Sequence, residues 1–155
     1  MSARLNQVKI PVTDLQRSVS WYGRLLGLTL WREFIEDGVL CGAVLSDEES
    51  GLRIGLRLRA VISGEPAFPG FDLFSIAVDS GDELGTIVER CEAMGTAHGE
   101  MTVLGADGTV VDVPDPDGTV VRFIYLHPDR PLSFIGIDLP SDAGPTFYDT
   151  PQLDT

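Results

Sequence analysis

Basic residues are scarce in this chain. Lysine occurs once, at Lys9, and lysine and arginine together number 11 against 24 acidic residues, a formal charge of −13. A surface of that sign repels a phosphate backbone and an anionic bilayer, so nucleic acid and membrane are excluded as partners. Cysteine is nearly missing, with 2 in 155 residues. Cys41 and Cys91 sit in apolar patterns without metal-ligand spacing, so they read as small buried hydrophobes and not as a disulfide framework. No hydrophobic run is long enough to span a bilayer, and residues 1–6 hold no apolar leader core, so the expected location is the cytoplasm. A glycine-rich phosphate loop, a Gly-x-Ser-x-Gly elbow and a Cys–His pairing are all missing, which leaves covalent catalysis without a visible candidate. The length suits one well-buried domain or two tightly fused halves.

What is present is a repeat. Asp14 to Gly27 opens on an acidic cap and closes on glycine, and Asp82 to Gly95 does the same at the same spacing. Leu15, Val19, Tyr22 and Leu26 mark the apolar stripe of the first helix; Leu84, Ile87, Val88, Cys91 and Met94 mark that of the second. An apolar strand precedes each helix, Val8-Ile10-Val12 and Phe74-Ile76-Val78. Asp-Gly hairpin signals follow at Asp37-Gly38 and Asp107-Gly108. Strands are expected over 28–35, 39–46 and 52–59 in the first half, and over about 97–104, 109–114 and 119–127 in the second. Each half therefore reads βαβββ. The boundaries are 1–59 for the first module, 60–70 for a Pro- and Gly-bearing linker, 71–127 for the second module and 128–155 for an extended C-terminal arm. The fold class is α+β, two tandem βαβββ modules forming a curled mixed sheet around a concave trough. The modules pair side by side or by exchange between subunits, and a trough between repeats is a usual ligand location.

Four stretches carry a family resemblance: Ile10-Pro11-Val12-Thr13-Asp14-Leu15, Ser18-Val19-Ser20-Trp21-Tyr22, Leu25-Leu26-Gly27-Leu28 and Asp115-Pro116-Asp117-Gly118. In this order and spacing, over roughly residues 5–127, the chain resembles the vicinal oxygen chelate superfamily. That superfamily groups glyoxalase I, extradiol dioxygenases, and the bleomycin and fosfomycin resistance proteins. The resemblance implies a metal-ligand position on each of four strands, which fall here on Gln7, Gly55, Leu73 and Arg122. Gln7 is a weak ligand, Gly55 and Leu73 offer no lone pair, and Arg122 carries a repelling charge; Ile54 and Leu56, beside Gly55, are no better. The expectation is a chain without the family's metal and without another cofactor.

The fourth strand alternates Leu52, Ile54, Leu56 and Leu58 with Arg53, Gly55, Arg57 and Arg59. With the leucine side against the helices, the other side faces the trough. Lys9 shares a face with Gln7, and Arg122 takes the corresponding place on the last strand. These positions suit an anion, since guanidinium groups donate in a fixed fork, and they suit intersubunit salt bridges equally. Trp31 is a stacking surface for a planar ligand or a core residue. Asp112 is a candidate general base or a solubility residue on an edge strand. His98 and His127 read as surface residues, with His98 and Glu100 sharing one strand face.

The expected function is metal-free binding of a small anionic or aromatic molecule by a homodimer, through Gln7, Lys9, Arg53, Arg57, Leu73, Arg122 and Trp31. The resemblance to bleomycin-binding members implies sequestration. The alternative is an enzyme of the same superfamily. It is either a metal-dependent lyase or dioxygenase with displaced ligands, or a cofactor-free isomerase using Asp112 or Glu100 as base. A third reading makes the arm a docking segment for another protein.

Overall fold

Asp14 adopts extended backbone and its Oδ1 accepts the Arg17 N–H at 2.9 Å, which caps helix α1, Leu15–Leu26. This satisfies one of the donors a helix start leaves free. Gly27, at φ 70°, closes the helix in the left-handed conformation. The buried face is Leu15, Ser18, Trp21, Tyr22 and Leu25. Val19 and Leu26, expected on the stripe, are half-buried at its margin. Helix α2, Gly81–Met94, starts earlier than its leading Asp82 suggests, because Ser80 is the cap. The Ser80 hydroxyl accepts the Glu83 N–H at 3.3 Å, and Glu83 Oε2 reaches back to the Asp79 N–H at 2.7 Å. Ser80 thus answers a free donor of the first turn while Glu83 holds the incoming chain at Asp79, and the helix starts there and not at Asp82.

The computed structural model describes residues 3–130 and 135–153. Strands β1 (Val8–Val12), β2 (Thr29–Glu36), β3 (Val39–Ser46) and β4 (Arg53–Leu58) form one sheet in the order β1-β4-β3-β2. Strands β5 (Asp72–Val78), β6 (Thr102–Leu104), β7 (Gly108–Pro114) and β8 (Val120–Leu126) form a second in the order β5-β8-β7-β6. In both, the strand before the helix runs parallel to the last strand of the module. The two βαβββ units thus share one topology.

The Asp37-Gly38 turn is as expected, with φ of 50° and 80°, the left-handed pair that a two-residue hairpin requires. The second hairpin differs. Its loop is Gly105–Asp107, and Gly108 already belongs to β7, paired with Leu104. A Cβ on Gly108 would lie 2.5 Å from the Tyr125 carbonyl, so glycine is needed for close approach and not for a turn. The strand expected over 97–104 is only three residues long; residues 95–101 run irregularly, tied to β7 by the Gly99 N–H to the Asp112 carbonyl at 2.7 Å. The arm is more ordered than expected. It carries a hairpin of β9 (Gly136–Asp138) and β10 (Thr146–Tyr148) beside the Gly105 loop. Phe134 of that arm lies outside the described residues. No helix among the described residues is long and apolar enough to cross a membrane.

One core serves both modules, running from Ile10, Tyr22 and Leu56 to Leu84, Val111 and Phe123. The Asp115-Pro116-Asp117-Gly118 turn of the second module locks onto the first helix. Buried Asp115 accepts the Tyr22 hydroxyl at 2.9 Å and the backbone N–H groups of Asp117 at 2.8 Å and Thr119 at 2.9 Å. Asp117 accepts both the backbone N–H and the hydroxyl of Thr13 and faces Arg17 at 3.6 Å. Trp21 Nε1 donates to Thr96 Oγ1 at 3.2 Å, and Arg90 donates to the Leu25 carbonyl at 3.0 Å. The motif residues that carry the resemblance are therefore an intermodule contact. Burial, with Asp115 alongside, pushes the Tyr22 phenol above its usual range.

Candidate functional site

Register decides what faces the trough. Opposite the core-facing Ile54 and Leu56, Gly55 pairs with Lys9 on one side and Val44 on the other, and Arg57 pairs with Pro11 and Gly42. Side chains of directly opposed residues share a face. The first sheet therefore turns Lys9, Arg53, Gly55, Arg57, Gly42 and Val44 away from the helix. A cavity of about 130 Å³ opens on this face, and its lining includes Gln7, Lys9, Phe34, Val44 and Arg57. Gly42 and Gly55 form its floor, with the Gln7 amide only 3.4 Å from where a Gly55 Cβ would stand.

The cations here are held differently from one another. Arg57 donates to Glu36 at 2.8 Å. Arg53 donates to Asn6 at 3.1 Å and lies 4.6 Å from the Trp31 ring centroid, while Arg32 lies 4.2 Å from the same ring. Such guanidinium–indole contacts are favourable and fix all three groups. Lys9 is exposed and makes no hydrogen bond or ion pair among the described residues. Trp31 is not core: it is 46% exposed. The strand register skips it between Leu30 and Arg32, and such a bulge re-aims a side chain. Arg59 leaves the strand in a short 3-10 turn and donates to the Glu65 carbonyl.

Leu73 and Arg122 belong to the other sheet and do not line this cavity. Arg122 is clamped. Its Nε and Nη2 each donate to one oxygen of Asp112 at 2.8 Å, and its Nη1 meets Asp72 at 2.8 Å. Asp112 lies on β7, between β8 and β6, so the edge-strand reading does not hold. Both its oxygens are engaged, so it is not poised as a base. His98 and Glu100 share no strand face. They sit in the irregular segment before β6, with His98 Nδ1 on the Gly99 carbonyl at 2.8 Å. His127 Nε2 meets Thr109 Oγ1 at 3.1 Å.

The superfamily's metal would need several lone-pair donors converging at these positions. Gln7 offers one amide oxygen; Gly55 and Leu73 offer nothing; Arg122 brings a cation already shared by two carboxylates. Among the described residues no three His, Cys, Asp or Glu side chains gather as a ligand set. These positions do not fit a divalent ion.

Phe34, Gly42, Val44, Arg32 and Glu36 were not expected at the site. A hairpin counted outward from Asp37-Gly38 correctly opposes Glu36 to Val39, but the second bulge of β2–β3 shifts Phe34 onto Gly42.

Two βαβββ modules with mixed four-stranded sheets of one topology define the glyoxalase-like class. The profile of the Glyoxalase/Bleomycin resistance protein/Dioxygenase superfamily matches residues 4–123, and the chain belongs to that superfamily. Among curated proteins none matches. A glyoxylase/bleomycin resistance protein/dioxygenase domain from Frankia sp. EAN1pec superposes with a TM-score of 0.70 at 24% identity, over 83% of this chain and 96% of its own. A mutant fosfomycin resistance protein, FosX, from Listeria monocytogenes, complexed with Mn(II) and dihydroxypropylphosphonic acid, gives 0.67 at 15% identity, over 85% and 98%. TnmS3, an antibiotic binding protein from Streptomyces sp. CB03234, gives 0.65 at 16% identity, over 81% and 97%. At these identities the likeness is one of fold.

Proposed function

We propose that this chain binds a small anionic or aromatic molecule on the concave face of its first module, without a metal, and acts by sequestration. One observation carries the reading. In a protein of charge −13, Lys9 and Arg57 line one cavity with Gln7, and Arg53 and Arg32 stand beside it on Trp31. Glu36 pairs with Arg57. A cationic cavity in an acidic protein is the place on it where an anion is concentrated. The donor-poor set of Gln7, Gly55, Leu73 and Arg122 supports binding over metal-assisted turnover, and the engaged Asp112 offers little support for an isomerase. The kinship with an antibiotic binding protein is consistent with sequestration. Two buried free cysteines suit the cytoplasm, a reducing compartment.

The working unit in this reading is a homodimer. Ile35, Val39 and Leu40 on the β2–β3 hairpin are 69%, 52% and 44% exposed, a patch that a second copy would cover. Pairing sets the cationic face of one module against the face bearing Arg122 in the other chain. There Arg122 stands between Asp72 and Asp112, so the two faces have complementary sign.

Titration with anilinonaphthalene sulfonate, an aromatic anion, tests the reading. The expected result is one saturable site per chain, unchanged after dialysis against EDTA and weakened at least about tenfold by Arg57→Glu. Binding that EDTA abolishes, or that ignores Arg57→Glu, overturns it.

A further inference from the structure

Resting on that binding reading, we infer that the trough of the first module is shaped for a planar aromatic monocarboxylate lying over Gly42 and Gly55 with its anion at Lys9. The two glycines sit inside neighbouring strands, and neither has a positive φ. Their backbone conformation is open to any residue, so what glycine supplies is the missing side chain. Because Gly42 pairs with Arg57 and Gly55 with Val44, the two lie diagonally on one face. They leave a strip between β3 and β4 that is partly covered by the Phe34 ring, 3.4 Å from where a Gly42 Cβ would stand, and by the Gln7 amide, 3.4 Å from that of Gly55. Phe34 and Val44 border the strip, and the Gln7 amide closes one end. A flat ring fits such a floor; a branched or sp³ body does not reach it.

The anion count follows from the pairing of the cations. Arg57 is neutralised by Glu36, and Arg53 and Arg32 are held on Trp31. That leaves Lys9 as the cation of the lining with no partner among the described residues, matched to a single negative charge. Both guanidinium groups lie within 4.6 Å of the Trp31 ring centroid, so the ring is already covered and the ligand stacks on the glycine floor instead. Trp31 becomes a positioning residue that keeps Arg53 and Arg32 out of the cavity.

Calorimetric titration of the full-length protein near neutral pH tests this with four probes: naphthoate, octanoate, naphthalenemethanol and phenyl phosphate. Naphthoate is expected to bind at least about tenfold tighter than the flexible acid, the neutral ring or the dianion. Lys9→Gln should remove the preference for naphthoate over naphthalenemethanol. Gly55→Val should fill the floor and cut naphthoate affinity at least about tenfold. Gly55→Ala, whose Cβ meets only the movable end of Gln7 and the Val8 carbonyl at 3.5 Å, should do so partially and keeps the test independent of folding. Octanoate and naphthoate binding equally, both lost in Lys9→Gln, would overturn the planar class while leaving the anion site standing. No binding of either acid, with dye binding indifferent to Arg57→Glu, would overturn both.

Discussion

Asp115→Ala should destabilise the protein by about 3 kcal/mol or more, read from the urea midpoint at constant slope. The carboxylate is 5% exposed and accepts three hydrogen bonds, so its removal strands the Tyr22 hydroxyl and the N–H groups of Asp117 and Thr119. Leaving a buried donor unpaired costs more than the bond itself contributed. Tyr22→Phe deletes one of the three and should cost about 1–2 kcal/mol. Because the two residues belong to different modules, their coupling in a double-mutant cycle measures how firmly the halves are joined. Asp115 also predicts a pH signature. Burial pushes its pKa above the ordinary carboxylate range, outweighing the hydrogen bond from Tyr22 and those from the backbone. The folded state then holds this proton more tightly than the unfolded one. The stabilisation from this group is present at low pH and is lost as pH rises through the raised value. Asp115→Asn, neutral throughout, should therefore lose less relative to wild type at about pH 7 than at about pH 4. A constant difference across that range would contradict the burial argument.

Ile35→Glu combined with Val39→Glu should convert the proposed homodimer to monomer without unfolding the chain. Both side chains are exposed in the single chain, so the fold does not depend on them. In a symmetric pair each substitution appears twice. Lost apolar burial of about 2 kcal/mol per site, with charge placed against an apolar surface, raises the dissociation constant by at least about a thousandfold. Light scattering at micromolar concentration reads the outcome directly. If the second wall of the trough comes from the partner, dye affinity falls together with dimerisation. A variant that stays dimeric would move the interface elsewhere.

Much of the fold was legible because its signals are local and repeated. Asp14 with Gly27, the apolar stripes and Asp37-Gly38 each act within a few residues, and their recurrence revealed two modules. Where two local signals competed, the reading slipped. Asp82 is a good cap, yet Ser80 with Glu83 is better. Asp107-Gly108 looks like a turn, yet Gly108 serves the neighbouring strand. The face bearing Gln7, Lys9, Gly55 and Arg57 followed from period-two alternation, which holds as long as register is regular. Trp31 and Phe34 lie at or beside bulges, which one sequence does not announce. The clamp of Arg122 on Asp112 was not within reach: counting outward from the Asp-Pro-Asp-Gly turn opposes Asp112 to Val121, and Thr119 lengthens the connection by the one residue that brings Arg122 opposite instead. It makes Arg122 a partner of carboxylates first and a candidate for the ligand second.

Native mass spectrometry of the freshly purified protein tests the central claim most directly, since it reads subunit number, metal and retained ligand together. A dimer mass without stoichiometric divalent metal, free or carrying a small organic acid, is the predicted result. One divalent metal per chain would contradict the account. Gln7, Gly55, Leu73 and Arg122 would then not be the positions that matter, and the trough would belong to an enzyme.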